Sequence, residues 1–274
     1  MIAFPPCKIN LGLNVIRKRD DGYHDIETVF CPVHWTDALE IVRSDSFRFT
    51  LSGLAVAGTS ADNLCVKAYK LLKDKHGIGP VAMHLHKVIP MGAGLGGGSS
   101  DAAHTLKLLD TVFDLKLGAH KLLHYAALLG SDCPFFIYDK PAIGKGRGER
   151  LTDVDLPLAN KFIIVVVPDV HVSTATAYAG VTPSVPEQPC SKIVSETEFS
   201  KWKDSLVNDF EKSVMQSFPI IAHIKEVLYD RGAAYASMSG SGSAVYGIFE
   251  TPVDLPTSLS HYPHWSGFLS LGRK

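Results

Sequence analysis

Apolar and polar residues alternate near the start of the chain, where Ile9, Leu11, Leu13 and Val15 are separated by Asn10, Gly12 and Asn14. That period of two predicts a β-strand, headed by Lys8 and ended by the charged turn at residues 17–22. Ile26–Val33, Ala38–Val42 and Phe47–Leu51 read as further strands, so the first third is largely β. Leu64, Ala68, Leu71 and Leu72 then recur at helical spacing, with Asn63 as a capping candidate and Gly77 as the stop. Val81–Val88 alternates again and is closed by Pro90. Two more helices are predicted: one carrying Ala102, Ala103, Leu106, Leu109 and Phe113, and one over residues 120–129 ending at Gly130.

In the second half, polar residues and Pro157 lead into the apolar run Lys161–Val167, the pattern of a strand buried on both faces. A domain boundary is placed there, giving residues 1–155 and 156–274. Residues 182–190, rich in Pro and Ser, read as a mobile loop. Trp202, Leu206, Phe210 and Val214 predict one helix, and Ile220, Ile224, Val227 and Leu228 another, running from Pro219 to Gly232. Ser237–Ser243 is a loop and Ala244–Phe249 an alternating strand. The class is α+β, without internal repeats.

One stretch resists explanation by packing. Gly92, Gly94, Gly96, Gly97 and Gly98 fall within PMGAGLGGGSSDAA, residues 90–103, just ahead of a predicted helix. Glycines cost backbone entropy and add nothing to a core, but they allow N–H groups to turn toward one point beside a helix start. That is a socket for phosphate. Gly92, Gly94 and Gly97 also satisfy GxGxxG, which leaves a dinucleotide-binding oxidoreductase as the alternative. The preceding segment alternates, however, instead of reading as a buried parallel strand, and no Walker A lysine follows. Asp132, between a helix end and Pro134, lies on a tight connection. A second glycine-rich stretch, residues 144–149, reads as a hairpin turn without chemistry.

Composition narrows the partners. With 46% hydrophobic and 20% charged residues and a net charge of −1, the chain reads as soluble and globular, and its dispersed Lys and Arg point to a small-molecule partner, with neither nucleic acid nor a membrane expected. Five cysteines without a CxxC pair argue against a disulfide framework and a zinc site. No signal segment is recognised at the N-terminus, so a cytoplasmic location is expected.

PMGAGLGGGSSDAA resembles the second motif of the GHMP kinases, the superfamily of galactokinase, homoserine kinase, mevalonate kinase and phosphomevalonate kinase. PCKINLGLNVIRKRDDGYH, GSDCPFF and SMSGSGSAVYGIF are similar to motifs of one branch of it, which phosphorylates the 2-hydroxyl of a cytidine diphosphate-linked methylerythritol in the non-mevalonate isoprenoid pathway. The resemblance covers nearly the whole chain. It implies an N-terminal domain of the ribosomal-protein-S5-domain-2-like type and a C-terminal α/β sandwich, with ATP as co-substrate and Mg²⁺ expected beside it. Lys8 and Asp132 would be the catalytic pair. Asn10, Tyr23 and His24 would hold the substrate, His24 at the cytosine edge and Tyr23 on its ring, with Tyr178 as a second aromatic wall. The nucleotide would be bound by Pro90, Met91, Gly92, Ala93, Gly94, Leu95, Gly96, Gly97, Gly98, Ser99 and Ser100, with Asn63 and Lys87 near the nucleoside. Metal ligands and oligomeric state stay open.

Overall fold

The structure, a computed structural model, describes residues 1–56 and 58–269. In chain order the first half forms β1 (Ile2–Ala3), β2 (Pro6–Lys18), β3 (His24–Thr36), β4 (Ala38–Arg43), β5 (Arg48–Gly53), α1 (Leu64–His76), β6 (Val81–Lys87), α2 (Gly97–Val112), α3 (Gly118–Leu129), α4 (Cys133–Tyr138), β7 (Ala142–Gly146) and β8 (Arg150–Asp153). The second half forms β9 (Phe162–Val166), α5 (Thr174–Ala179), α6 (Cys190–Glu196), α7 (Trp202–Ser205), α8 (Glu211–Ser217), α9 (Pro219–Asp230), β10 (Tyr235–Met238), β11 (Val245–Phe249) and β12 (His264–Phe268).

Contacts group these elements into two units, each assembled from separate stretches. Unit 1 takes Met1–Cys7, Trp35–Met91 and Gly96–Asp139, and unit 2 takes Lys8–His34, Gly92–Leu95 and the described chain from Lys140 onward. The contacts therefore divide differently from the single cut expected after residue 155. The reason is non-local bonding of β2: Leu13 bonds to residues 207 and 209, Asn14 Oδ1 accepts from Cys190 N–H and the Asn10 carbonyl accepts from the Tyr246 hydroxyl, which draws the early strands to chain beyond that cut. A composition shift marks a connection, whereas pairing is non-local. Residues 270–274, the end of the expected second domain, lie outside the described residues.

In unit 1 the sheet runs β1-β4-β6-β5, with β5 parallel to β6 and the other pairs antiparallel. Leu39, Ile41, Met83 and Leu85 of the sheet share a core with Leu72 of α1 and Leu106 and Leu109 of α2. The cap of α1 is as expected, Cys65 N–H donating to Asn63 Oδ1 at 2.9 Å and Gly77 closing the helix with φ 64°. The tight connection at Asp132 is the start of α4, a short helix with Pro134 in its first turn that the hydrophobic pattern did not show.

Unit 2 holds the sheet β2-β3-β7-β8 and the antiparallel sheet β10-β11-β9-β12. Ile164, Val166 and Val245 of the latter pack with Ile221, Ile224 and Leu228 of α9. Strand β2 departs from its half-buried pattern, because residues 6–15 are all buried. Its polar members are satisfied internally: Asn10 Nδ2 donates to Thr28 Oγ1 at 2.9 Å, and Asn14 Oδ1 accepts from Cys190 N–H at 3.0 Å.

The helix predicted from Trp202 to Val214 is broken into α7 and α8. Between them Leu13 N–H donates to the Val207 carbonyl at 3.0 Å and Asp209 N–H to the Leu13 carbonyl at 2.9 Å, so residues 207–209 lie along β2. Trp202, Leu206, Phe210 and Val214 are all buried, but from three pieces of backbone instead of one face. All five cysteines are buried and none forms a disulfide. Among the described residues no helix is long and apolar enough to cross a membrane.

Candidate active site

The head of β2 and the middle of the glycine loop form one network within unit 2. Lys8, 3% exposed, donates through Nζ to Asn10 Oδ1 at 2.6 Å and to the Gly94 carbonyl at 2.8 Å. Its backbone N–H donates to the Leu95 carbonyl at 2.9 Å. The Gly94 carbonyl also accepts Ser239 Oγ at 2.9 Å, and Ser239 Oγ accepts the N–H of Asn10 at 3.3 Å. Gly94 has φ 77°, and a Cβ there would be driven into the Ser239 carbonyl, so only glycine fits on both counts. Ala244 N–H donates to the Ala93 carbonyl at 3.0 Å, which ties the third motif to the same loop. A cation of fixed position beside backbone that has no side chain is the equipment for holding phosphate.

The aromatic residues expected at a base are also in unit 2, in an altered arrangement. His24 and Tyr178 stack directly, with centroids 4.5 Å apart and planes 17° from parallel. Two rings sandwiching a base need about 7 Å between them at ordinary stacking distance, so these two do not bracket an open slot. Tyr178 is braced edge-on by Phe210 at 4.8 Å. Tyr23, 54% exposed, has the Arg147 guanidinium over its ring at 4.8 Å. Arg147 lies in the β7–β8 turn, the hairpin given no chemistry from sequence; nothing in the linear pattern of that turn announces its reach to Tyr23. Burial, with Lys18 nearby, holds His24 below the usual imidazole value, which favours the neutral ring.

Unit 1 contributes the rest of the loop, from Gly96 at φ 70°, which precedes the first residue of α2, Gly97. Ser100 is fully buried in the first turn of α2, and its Oγ has no hydrogen-bond partner among the described residues. Asp132 stands at the start of α4 in the same unit. Asn63, Pro90, Met91, Gly98 and Ser99 also belong here.

Lys87, which the resemblance puts near a nucleoside, is a buried, ion-paired residue at the end of β6. It is 1% exposed, and its ammonium is held by the carboxylates of Asp37 and, at 2.8 Å, Asp101. The ammonium lies 3.3 Å from where a Cβ on Gly97 would sit. Asp37 Oδ1 accepts from the N–H groups of Val88 and Ile89 at 2.6 and 2.9 Å, fixing the segment that leads into the loop. The side chain therefore underpins the entry to α2. Burial would lower the lysine's pKa, but the two carboxylates more than offset it and the net direction is up.

Two carboxylates share that one ammonium, and Asp101 Oδ1 has no partner among the described residues. Burial, aided by the charge of Asp37 and opposed by Lys87, pushes Asp101 up to about 7. A carboxyl whose folded pKa is raised stabilises the fold fully below its unfolded value, near 4, and loses that contribution as pH rises through the folded value. The parent is therefore expected to lose more stability than Asp101→Asn between pH 5 and pH 8, by on the order of 2 kcal/mol. Parallel denaturation profiles for the two proteins would show that Asp101 does not carry this proton.

The comparisons with known proteins give the family. The GHMP kinases N terminal domain matches residues 63–140, and the GHMP kinases C terminal domain matches residues 196–256. The chain is 51% identical over 252 residues to the 4-diphosphocytidyl-2-C-methyl-D-erythritol kinase of Cytophaga hutchinsonii, covering 92% of this chain and 93% of that one. It is 50% identical to the kinase of the same name from Parabacteroides distasonis, with the same coverage. A crystal structure of 4-(cytidine 5'-diphospho)-2C-methyl-D-erythritol kinase superposes with a TM-score of 0.81 at 31% identity, covering 99% of this chain and all of that one. The homoserine kinase of Cytophaga hutchinsonii, at 16% identity, 97% and 95% coverage and a TM-score of 0.66, shares the fold. These matches do not favour the dinucleotide-binding oxidoreductase left open by GxGxxG. The chain belongs to the 4-diphosphocytidyl-2-C-methyl-D-erythritol kinase family of the GHMP kinases.

Proposed function

We propose that this kinase transfers the γ-phosphoryl group of ATP to the 2-hydroxyl of 4-diphosphocytidyl-2-C-methyl-D-erythritol, a step toward isoprenoid precursors. The observation that carries the reading is the tether of the Lys8 ammonium to the glycine-loop carbonyl of Gly94, in a chain half identical to kinases of that name. The residues present fit a nucleoside triphosphate: Gly92, Gly94 and Gly96 have positive φ, and the buried hydroxyl of Ser100 lacks a hydrogen-bond partner among the described residues. When bound, ATP with Mg²⁺ supplies the phosphoryl group and part of the neutralising charge.

The chain's own residues do the rest. Backbone N–H groups of Gly92 to Ser99 and the hydroxyl of Ser100, whose own N–H goes to the Gly96 carbonyl, hold phosphate oxygens, and Asn63, Pro90 and Met91 lie toward the nucleotide. Lys8 neutralises charge on the transferring group, and Asn10 holds its ammonium in place through Oδ1. Asp132 orients the acceptor hydroxyl and takes its proton. Tyr23 and His24 engage the cytosine, the base displacing Tyr178 from the face of His24. Lys87 is left out of ligand contact. The division into residues 1–155 and 156–274 is retained as a proposal about family domains, since the two family matches fall on either side of it.

The test is ADP release and mass analysis of product with a panel of acceptors: the cytidylyl substrate, 2-C-methyl-D-erythritol 4-phosphate, homoserine and mevalonate. Only the first is expected to be used well, and comparable use of the second would return the chain to an unspecified GHMP kinase. Stacking of a base on an aromatic ring contributes about 1–3 kcal/mol, so Tyr23→Ala is expected to lower kcat/KM for the cytidylyl substrate roughly 5- to 150-fold. The Kd for ATP should stay unchanged in calorimetry. An equal loss of ATP affinity would place Tyr23 outside the acceptor site.

A further inference from the structure

The break between α7 and α8 puts a buried asparagine where it can control the glycine loop. Asn208, 3% exposed, uses its whole amide: Nδ2 donates to the carbonyls of Met238 and Gly240 at 2.9 and 2.8 Å, and Oδ1 accepts from Phe210 N–H at 3.1 Å. Its backbone is fixed independently, through the bridge to Leu13 and through Val15 N–H donating to Asp209 Oδ2 at 2.7 Å. The two carbonyls it holds flank Ser239, the residue that donates to Gly94 and accepts from Asn10. Gly240, at φ 56°, presents its missing Cβ toward Asn10 Oδ1, 3.3 Å away, and that oxygen accepts the Lys8 ammonium.

We infer that Asn208 is a positioning residue for phosphoryl transfer: it fixes the turn at residues 238–240, and through Ser239 the carbonyl of Gly94 that locates the Lys8 ammonium. The inference rests on the proposed kinase reading. Among the described residues the Asn208 side chain makes no hydrogen bond to Lys8 or the glycine loop, so its effect is passed on through Ser239. Both N–H donors are spent on carbonyls, so an isosteric carboxylate would oppose oxygen to oxygen at both contacts. A displacement of the reacting geometry by about 1 Å can cost 10²-fold in rate.

The experiment compares Asn208→Asp, Asn208→Ser, Ser239→Ala and the double variant Asn208→Ser with Ser239→Ala, each assayed below its melting temperature and scaled to folded protein. Expected for Asn208→Ser is a fall of roughly 10- to 100-fold in kcat, with the KM for the acceptor changed less than about 3-fold and the ATP affinity retained. The double variant should lose little more than the worse single one, because both changes interrupt the same path. Unchanged kcat in a folded Asn208 variant, or losses that multiply independently in the double variant, would overturn the assignment. If Asn208→Asp fails to fold, Asn208→Ser carries the test. Absence of turnover in the parent, by contrast, sinks the kinase reading and leaves the network of bonds untouched.

Discussion

Asp132→Asn is expected to lower kcat by roughly 10²–10⁴-fold while leaving acceptor KM and the melting temperature close to those of the parent. Asparagine keeps the shape and removes the charge that would receive the hydroxyl proton. The position separates chemistry from structure unusually well, because Asp132 precedes α4 without making a side-chain cap bond to it, and Asn and Asp cap helices about equally. A capping role alone therefore predicts almost no change in either readout. Single-turnover rates with saturating acceptor, taken beside thermal denaturation, make the comparison. Turnover within a few-fold of the parent would reduce Asp132 to a connection residue and move the proton acceptor elsewhere.

Lys8→Met should cost about 10²–10³ in kcat, the range found when one preorganised group aimed at developing charge is removed. Methionine retains the apolar stem, which runs beside Phe30 with the ammonium 5.5 Å from the ring centre. The fold is held by other bonds in the same place, since the Gly94 carbonyl keeps Ser239 Oγ and the Leu95 carbonyl keeps the backbone N–H of residue 8. Lys8→Arg is not expected to rescue activity: the two acceptors, at 2.6 and 2.8 Å, are set for a compact ammonium in a site that admits almost no solvent. Restoration by arginine, or a methionine variant within a few-fold of the parent, would contradict the role given to this cation.

Local signals were legible where local physics decides. The cap and stop of α1, the glycine entry to α2 and the alternation of β6 follow from residues a few positions apart. The burial of Lys87 is legible in that alternation too, since Val81, Met83, Leu85 and Lys87 occupy the same side of a strand. Other features needed partners distant in sequence. The i, i+4 spacing of Trp202, Leu206, Phe210 and Val214 is true to burial, but β2 captures the backbone of residues 207–209 and no helix can pass through them. In the same way, Asn10 and Asn14 look like a solvent face until Thr28 and Cys190 are known to meet them. The pairing of Tyr178 with His24 and of Arg147 with Tyr23 belongs to this second kind.

The interleaving of the two units bears on how the chain is made. Unit 1 has all of its residues once the chain has been synthesised to Asp139, whereas Lys8–His34, among the earliest residues to emerge, belong to unit 2 and pair with strands not yet translated. Closing that long intervening loop carries an entropy cost that only the later strands can offset. During synthesis these strands are a long apolar ribbon waiting for an edge, the kind of segment that holdase chaperones protect. A gene cut at the boundary suggested by composition would strand β2 in one fragment and the segment at residues 207–209 that lies along it in the other. The nascent polypeptide must stay whole before the Gly94 carbonyl that accepts the Lys8 ammonium also has Ser239 to hold it.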